Sequence, residues 1–461
     1  MPVDPMPEPS DFSVLREQTD PSEQPDPSKQ TGPSEFPGAT GSLETDLWEA
    51  PYADQPVQAS IVLPGSKSLT NRALVLSALA TGPGVVRRAL RSRDTELMAA
   101  ALTALGSEVD TTGPDWQVTP GALGAARIDC GLAGTVMRFL PPVAALARGR
   151  VDFDGDPHAR TRPMAGVLTA LRDLGIEVSG ADYLPFSVMG HGSARGGSVA
   201  IDASASSQFV SALLLAAPRY DDGVRVTHTG TPVPSMPHIE MTVSCLRERN
   251  VLVDDSQPNH WVVRPGPISA MDVTIEPDLS NAAPFLMLAM VSGGQVTVAD
   301  WPLHTTQAGD ALRGILTAMG ATITQGPHGL TLAGGDGIHG IDIDLHDHGE
   351  LTPALAALCA LADSPSRLSG IEHIRGHETD RIKALHDELT ALGADIEESV
   401  DSLTIRPAKL RPGIFHTYAD HRMAHAGVIL GAAVQGIRVE DINTTSKTFP
   451  GFAEYWSGLF R

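Results

Sequence analysis

Cysteine and long apolar runs are scarce in this chain of 461 residues. Its three cysteines, Cys130, Cys245 and Cys359, have no C-x-x-C spacing, which argues against a zinc site and is typical of a reducing compartment. No apolar run reaches membrane-spanning length, and the acidic, proline-rich start lacks the apolar segment of a secretory signal. We therefore expect a cytoplasmic protein without a membrane anchor.

Positive charge is also scarce. The formal net charge is −22, which argues against nucleic acids and anionic membranes as partners. Only five lysines occur, and Lys67 is one of them. Because an acidic protein that binds an anion must concentrate its few cations locally, the position of each cation in this sequence is informative.

The first 50 residues differ in composition from the rest of the chain. They contain eleven acidic and two basic side chains and are rich in Pro, Ser and Gln. Such a segment cannot bury enough apolar area to offset the entropy cost of ordering, so we predict that residues 1–50 form a disordered extension. The remaining length, in a chain that is 42% hydrophobic, is enough for two domains with cores.

A helix end followed by a turn and a strand recurs five times, at a spacing of roughly 70 to 75 residues. In each copy a Gly or Asn supplies the left-handed cap that ends the helix. These caps are Gly106, Gly175, Asn250, Gly320 and Gly393. A sixth unit made from the two chain ends would give six similar units, each with about two helices and several short strands.

Six units divide naturally into three and three. We predict that the chain starts in one domain, crosses near Gly65 into the other, and returns near Glu276. The second domain would then span residues 66–275, and the first would be discontinuous, with residues 51–65 and 276–461. Two crossovers that lie side by side would form a hinge.

Residues 63–72, with the sequence LPGSKSLTNR, join a predicted strand to an apolar helix that Ser66 or Ser68 caps. A helix start offers free N–H groups and a positive dipole end, which favour an anion, and Lys67 and Arg72 add charge. The stretch could anchor a phosphorylated substrate, or it could be an ordinary helix start with a solvated lysine. Its spacing is not that of a P-loop.

Further polar stretches stand at inferred helix starts, and each could also be explained by capping or packing. They are residues 131–138, 155–164, 206–209, 349–353, 377–381, 420–423 and 446–450. Glu350 could be a cap, or a general base in a largely apolar cleft. Helix starts normally favour Asp and Glu, yet six cations lie at or close to them: Lys67, Arg72, Arg162, Arg381, Arg422 and Lys447. Together they indicate ligands with several negative charges.

These motifs resemble those of the 5-enolpyruvylshikimate-3-phosphate (EPSP) synthase family. L-P-G-S-K-S-x-x-N-R, A-G-T-x-x-R, R-P-M, S-S-Q-F, E-T-D-R, D-H-R-M and K-T-F-P occur in family order from about Ala53 to the C-terminus. The resemblance implies an α/β (α+β) fold, a two-domain inverse α/β barrel of six βαβαββ repeats. It also implies a transferase of the shikimate pathway, which leads through chorismate to aromatic amino acids. An enzyme of this family is expected to need no cofactor or metal.

The resemblance assigns two sets of ligands and an acid–base pair. Shikimate 3-phosphate would be held by Lys67, Ser68, Arg72, Ser206, Ser207, Gln208, Ser235, Glu350, His373 and His377. Phosphoenolpyruvate would be held by Lys67, Gly134, Arg162, Gln208, Arg381, Arg422 and Lys447. Glu350 matches the proton acceptor at the shikimate 5-hydroxyl and Glu378 the proposed proton donor, and Lys67 could assist both.

Several positions depart from the family pattern. The acceptor is usually Asp, but here it is Glu350, which is one methylene longer; the Lys before E-T-D-R is His377, and a nearby Asn is His373. A common Tyr is His238, and the Asn of the N-[AS]-G-T turn is Leu132. These changes resemble the actinobacterial branch, and they leave the contacts of the two histidines at 373 and 377 open.

Three other functions compete with this interpretation. The transferase that acts on UDP-N-acetylglucosamine typically has Lys-Asn in place of Lys67-Ser68, and commonly a loop Cys that residues 154–163 lack. A non-catalytic phospho-ligand binding or scaffold protein would have lost one carboxylate or Arg of the constellation, and none is lost. RNA 3′-phosphate cyclase-like proteins are expected to be less acidic. The resemblance further implies a monomer and a glyphosate target, with Gly134 leaving room for the inhibitor.

Overall fold

The computed structural model of the chain describes residues 46–460, in which short strands alternate with helices. The helices are α1 (Lys67–Ala78), α2 (Arg93–Leu105), α3 (Gly134–Ala144), α4 (Ala165–Asp173), α5 (Gln208–Ala216), α6 (Pro237–Glu248), α7 (Ala283–Ser292), α8 (Leu312–Ala318), α9 (Thr352–Cys359), α10 (Arg381–Ala391), α11 (His421–Ala433) and α12 (Phe452–Gly458). Within residues 46–460 no helix is long and apolar enough to cross a membrane.

The strands are all short. They are β1 (Leu47–Glu49), β2 (Gln58–Ile61), β3 (Gly84–Arg87), β4 (Glu108–Asp110), β5 (Trp116–Thr119), β6 (Gly124–Asp129), β7 (Arg148–Asp154), β8 (Glu177–Gly180), β9 (Phe186–His191), β10 (Gly197–Ile201), β11 (Val224–His228), β12 (Val253–Asp254), β13 (His260–Val263), β14 (Val273–Thr274), β15 (Gln295–Ala299), β16 (Thr322–Gly326), β17 (Gly329–Ala333), β18 (Asp342–Asp344), β19 (Ser366–Ser369), β20 (Asp395–Glu398), β21 (Leu403–Arg406), β22 (Gly413–Phe415) and β23 (Ile437–Glu440).

These strands form six small sheets. Five have four strands, in the orders β14-β3-β5-β4, β6-β7-β9-β8, β10-β11-β13-β12, β16-β17-β15-β2 and β18-β19-β21-β20, and the sixth has the order β1-β23-β22. Each four-stranded sheet has one parallel pair and two antiparallel pairs; for example, β6 and β7 are parallel, whereas β9 is antiparallel to both β7 and β8. The predicted βαβαββ repeat and the fold class are therefore confirmed.

The recurrent helix ends are left-handed, as predicted. The backbone angle φ is +119° at Gly106, +80° at Gly175, +60° at Asn250, +107° at Gly320 and +94° at Gly393. A strand begins two or three residues after each of them. Since Gly, and less readily Asn, adopts this conformation at little cost, the turns are encoded locally.

Three sheets take a strand from a distant part of the chain, because β1 pairs with β23, β2 with β15 and β14 with β3. The last two pairings lie beside the segments that connect the two halves of the fold. The connecting segments run side by side: Gly65 forms an antiparallel bridge with Pro277, and the N–H of Ser66 donates to the carbonyl oxygen of Glu276 at 2.8 Å. A Cβ at residue 65 would lie 2.1 Å from the carbonyl oxygen of Arg88, so this crossing requires glycine.

The buried apolar side chains form two separate groups. One lies between residues 73 and 275, and the other combines residues 50–63 with residues 279–456. We call the corresponding parts the insert lobe (residues 66–275) and the terminal lobe (residues 46–65 and 276–460). The division into a domain of residues 66–275 and a discontinuous domain of residues 51–65 and 276–461 stays a proposal, which the two groups support.

Five residues of the extension predicted to be disordered, residues 46–50, belong to the described part of the chain. Residues 1–45 lie outside the described residues, but β1 pairs with β23 through Leu47 with Glu440, Trp48 with Val439, and Glu49 with Arg438. The prediction was wrong for residues 46–50, because the pairing partner of this strand lies near the other end of the chain and leaves no local signal.

We expect deletion of residues 1–45 to leave activity and the urea midpoint of unfolding unchanged. Deletion of residues 1–50 should instead destabilise the protein by roughly 1–3 kcal/mol, the worth of three cross-strand pairs. It would also remove Ala50, which packs against Gly431 of α11. Urea unfolding of the two truncated chains provides the comparison, and equal midpoints would contradict a stabilising role for β1.

Candidate active site

A cavity of about 1120 Å³ lies between the insert lobe and the terminal lobe, and both lobes line it. It contains nearly all the side chains that the sequence proposed as ligands or catalytic groups. These are Lys67, Ser68, Gly134, Arg162, Ser206, Ser207, Gln208, Ser235, Glu350, His373, His377, Glu378, Arg381, Arg422 and Lys447. The fold thus brings stretches from the whole length of the described chain to one place.

Five helices begin at residues that line the cavity. These are α1, α3, α5, α10 and α11, which start at Lys67, Gly134, Gln208, Arg381 and His421. None of these five described helices has an acidic residue in its first turn. Their dipoles therefore add positive potential to the cavity, which favours anionic ligands. Asp380 and Asp420 cap α10 and α11, so the positive potential from these two helix starts is partly offset.

In the terminal lobe, Arg381 is at the centre of a buried ionic network. Its Nε donates to Asp420 Oδ2 at 2.8 Å and its Nη2 to Glu378 Oε2 at 3.1 Å. Lys447 Nζ lies 2.5 Å from Glu378 Oε1. The side chains of Arg381 and Asp420 are 3% and 0% exposed, so neither charge has water as an alternative partner.

This network controls the protonation of Glu378. Burial alone would raise its pKa, but Lys447, Arg381 and Arg162 hold the pKa of Glu378 well below its usual range. Without substrate the group is therefore an ionised carboxylate. To act as the predicted proton donor, Glu378 must first become protonated, which requires the surrounding cations to interact with another anion instead.

Glu350 lies in a 3₁₀ turn, Gly349–Leu351, directly before α9. Its Oε2 is 3.7 Å from His238 Nε2 and 4.0 Å from Arg422 Nη2. Burial raises the pKa of Glu350, but His238, Arg422 and Arg381 more than offset this and lower it to about 2. The carboxylate is thus ionised, and neither contact is short enough to occupy its lone pairs fully.

This pKa shift predicts an acid-dependent loss of stability. A carboxyl whose pKa is lowered on folding, here from 4.5 to about 2, stabilises the folded state fully above pH 4.5 and loses that contribution as the pH falls. We expect the stability of the unmodified chain, relative to Glu350→Gln, to decrease steadily below about pH 4.5 and to stay constant above it. Urea midpoints measured across this range would contradict the shift if the relative stability rose on acidification.

The two histidines that replace family Asn and Lys both line the cavity. Burial, His346 and Arg381 lower the pKa of His373 to about 4. Burial and Arg381 hold the pKa of His377 well below its usual range, and Arg381 Nη1 lies 2.9 Å from His377 Nδ1, which accepts. Both imidazoles are therefore neutral, and the positive charge of the family Lys is absent at residue 377.

Arg72 differs from the prediction. It is not among the residues that line the cavity within the described chain, and it is 1% exposed. Its guanidinium donates to Thr242 Oγ1 at 2.7 Å and to the carbonyl oxygens of His238 and Ser68 at 2.8 and 3.0 Å. Burial lowers its pKa to about 10. Because its donors are used inside the insert lobe, the structure gives no support to direct contact of Arg72 with substrate.

Several residues of the cavity were missed, among them Arg138 and Asp94. Arg138 is buried and its Nη1 donates to Gln208 Oε1 at 2.9 Å; it stands one helical turn after Gly134 in the same motif, so its spacing could have identified it. Asp94 accepts a hydrogen bond from Lys67 Nζ at 3.2 Å, and nothing in the sequence around it indicates this.

Comparison with known proteins identifies the family to which a chain with this fold and cavity belongs. Residues 51–456 match the sequence model of EPSP synthase (3-phosphoshikimate 1-carboxyvinyltransferase). The chain belongs to the EPSP synthase family. A curated 3-phosphoshikimate 1-carboxyvinyltransferase from the actinobacterium Kocuria rhizophila is 53% identical over 431 residues, which cover 90% of this chain and 97% of that protein.

Solved structures share the fold of this EPSP synthase family member. Two structures of EPSP synthase from Acinetobacter baumannii superpose with TM-scores of 0.76 and 0.75 at 22% identity, and each alignment covers 90% of this chain and 98% of the other. The enolpyruvyl transferase NikO from Streptomyces tendae gives a TM-score of 0.71 at 15% identity, over 90% of this chain and 97% of NikO.

Membership in the EPSP synthase family confirms the predicted fold, the transferase class and the shikimate-pathway function. The 53% identity to a relative from an actinobacterium confirms the predicted resemblance to the actinobacterial branch. The competing interpretations, transfer to UDP-N-acetylglucosamine, a non-catalytic binding protein and a phosphate cyclase, are set aside in favour of 3-phosphoshikimate 1-carboxyvinyltransferase.

Proposed function

We propose that the chain transfers the enolpyruvyl group of phosphoenolpyruvate to the 5-hydroxyl of shikimate 3-phosphate inside the cavity between its lobes, releasing phosphate. The observation that carries this proposal is the arrangement of cations and helix starts from both lobes around Glu350, an ionised carboxylate. The cations can bind the phosphate and carboxylate groups of the two anionic substrates, and the carboxylate can accept the proton that the 5-hydroxyl must lose.

Shikimate 3-phosphate would bind mainly to the insert lobe. Its phosphate would bind to Ser206, Ser207 and Gln208 at the start of α5. Its remaining groups would bind to Lys67, Ser68 and Ser235. The support for this placement is that all six residues line the cavity and come from the insert lobe. Arg72 is left out of this set, while His373 and His377 would close the pocket from the terminal lobe.

Phosphoenolpyruvate would bind between the lobes. Lys67, Gly134, Arg162 and Gln208 approach it from the insert lobe, and Arg381, Arg422 and Lys447 from the terminal lobe. Planar guanidinium groups bind carboxylate and phosphate through two parallel hydrogen bonds, which fixes the orientation of the reacting carbons. A phosphate near Lys447 would also compete with Glu378 for that ammonium and so raise the pKa of Glu378 towards that of a usable acid.

The chemistry then follows from the two carboxyl groups. Glu350 accepts the proton of the 5-hydroxyl as that oxygen attacks the central carbon of phosphoenolpyruvate, and an acid, Glu378 or Lys67, protonates the methylene carbon. The conjugate base of that acid then removes a methyl proton from the tetrahedral adduct as phosphate is expelled by cleavage of the C–O bond, which leaves the enolpyruvyl ether. No phosphoryl group moves, so the reaction needs no metal to bridge phosphate oxygens.

Closure of the lobes would keep water from the intermediate. His158, in the insert lobe, donates from Nε2 to the carbonyl oxygen of Glu378 in the terminal lobe at 3.0 Å. The adjacent crossovers at Gly65 and Pro277 are the proposed hinge. Such a hinge can absorb the rotation between lobes while both lobes stay internally rigid.

The decisive experiment is a phosphate-release assay with phosphoenolpyruvate and either of two acceptors. Release is expected with shikimate 3-phosphate and not with UDP-N-acetylglucosamine. Release with only the nucleotide sugar, or with neither acceptor, would contradict the proposal.

We further infer that the enzyme acts as a cytoplasmic monomer. One chain supplies both lobes of the cavity, so a second copy is not needed to complete it. Three free, buried cysteines suit a reducing compartment. Light scattering coupled to size exclusion would contradict the inference if the mass corresponded to a dimer.

Glyphosate is expected to inhibit the enzyme at millimolar concentration by competing with phosphoenolpyruvate. A methyl group at Gly134 would lie only 3.2 and 3.3 Å from the guanidinium nitrogens of Arg162. Since overpacking typically costs 1–3 kcal/mol, Gly134→Ala should weaken inhibition roughly 5- to 150-fold. Initial rates at several glyphosate concentrations measure this, and equal inhibition of the two proteins would contradict close approach of the ligand to residue 134.

A further inference from the structure

The two residues directly before α6, in the insert lobe, are joined across the cavity to the loop that precedes α9, in the terminal lobe. The N–H of Ser235 donates to the carbonyl oxygen of His346 at 3.0 Å, and the N–H of Met236 donates to Asp347 Oδ1 at 3.3 Å. We call this row of contacts the α6 seam. It connects a proposed substrate ligand, Ser235, directly to the other lobe.

The third contact of the α6 seam reaches the proposed base. His238, the second residue of α6, places its Nε2 3.7 Å from Oε2 of Glu350. The two side chains are 18% and 23% exposed, and both line the cavity. The other ion-pair contact of this carboxylate within residues 46–460 is Arg422 Nη2, at 4.0 Å, so few groups restrict its orientation.

The backbone of His238 is fixed from within the insert lobe. Its carbonyl oxygen accepts hydrogen bonds from Arg72 Nη2 at 2.8 Å, Thr242 Oγ1 at 3.0 Å and Ser211 Oγ at 3.3 Å. These contacts also account for Arg72, whose donors are used to hold the start of α6. The backbone that carries the imidazole is therefore held in place. Glu350, in contrast, has one more rotatable bond than the Asp usual in the family, so its side chain loses more conformational entropy when it is held in one orientation.

We propose that His238 is a positioning residue for Glu350. When the lobes close, the imidazole presents Nε2–H to one carboxylate oxygen and so turns the other towards the 5-hydroxyl of shikimate 3-phosphate. The proposal rests on the function proposed above and deepens it, because one lobe orients the base that the other lobe carries. The base is then correctly oriented only when the α6 seam has formed.

The test is a double-mutant cycle on the full chain, with phosphate release and the KM for shikimate 3-phosphate as readouts. A poorly oriented catalytic group typically costs about 10- to 100-fold, so His238→Ala should lower kcat by that factor with the KM changed less than about threefold. In the Glu350→Gln background the same change should cost less than about twofold, because no base is left to orient. His238→Gln, which keeps an N–H donor, should give an intermediate kcat.

The matched control is His328→Ala, on the exposed hairpin between β16 and β17, which should leave kcat unchanged. Equal losses in both Glu350 backgrounds, or a loss confined to the KM, would overturn the positioning role. If His238→Ala does not fold, as judged by its thermal midpoint, His238→Gln in the two backgrounds carries the test. Absence of phosphate release by the unmodified chain would overturn the proposed function itself, whereas normal release together with an unchanged His238→Ala kcat would overturn this inference alone.

Discussion

Replacement of Glu350 with glutamine is expected to lower kcat by about 10²- to 10⁴-fold, the usual worth of a positioned general base. Gln has nearly the same shape but cannot accept the proton of the 5-hydroxyl. Binding of shikimate 3-phosphate should persist, because its proposed ligands lie mainly on the insert lobe and the change removes a negative charge that faces an anionic substrate. Initial rates and calorimetric titration separate the two effects.

Glu372→Gln is the matched control for this change. Glu372 is another carboxylate that lines the same cavity, but it is exposed, and no role in catalysis is assigned to it. Its kcat should therefore remain close to that of the unmodified enzyme. Near-normal turnover of Glu350→Gln, or an equal loss in both variants, would show that Glu350 is not the base.

Arg381→Ala is expected to destabilise the terminal lobe as well as to weaken phosphoenolpyruvate binding. The substitution leaves the buried carboxylates of Asp420 and Glu378 without their shared partner. Breaking a buried pair in this way costs about 3–5 kcal/mol, because an uncompensated charge remains in the interior. Urea unfolding should show this loss, and Arg381→Lys should restore little of it, since an ammonium cannot reproduce the two hydrogen bonds to Asp420.

A surface arginine provides the comparison for Arg381. Arg406 pairs with Asp395 and Glu397, but its side chain is 43% exposed, so water can replace its partners. Arg406→Ala should therefore change stability far less than Arg381→Ala. Similar losses for the two variants would contradict the view that the buried network, rather than charge pairing in general, stabilises the terminal lobe.

The features that the sequence predicted well are those with a local cause. A left-handed cap at Gly175 or Gly393 needs only the absence of a side chain, and the strand that follows needs only its own pattern. The same is true of the helix starts at Lys67 and Gly134, which depend only on a few neighbouring residues.

The features that were missed depend on contacts between distant residues. Whether Arg72 faces the cavity or the interior is decided by Thr242, which is 170 residues away, and no pattern around residue 72 reports that packing. Strand β1 likewise depends on β23. The Lys447 contact with Glu378, which decides the protonation of that carboxylate, also appears only when helix starts from different repeats are brought together.

The pairing of β2 with β15 has a consequence for synthesis on the ribosome. Val57 and Ser292, which hydrogen-bond beside these strands, are 235 residues apart in the chain. At ordinary rates of translation β2 must wait roughly 12 to 50 s for its partner, and every strand of three of the sheets, from β3 to β14, is synthesised in that interval. During this interval the nascent protein carries β2 as an unpaired strand, N-terminal to a nearly complete insert lobe. Because unpaired strand edges can pair with other chains, this is when protection by chaperones would matter most.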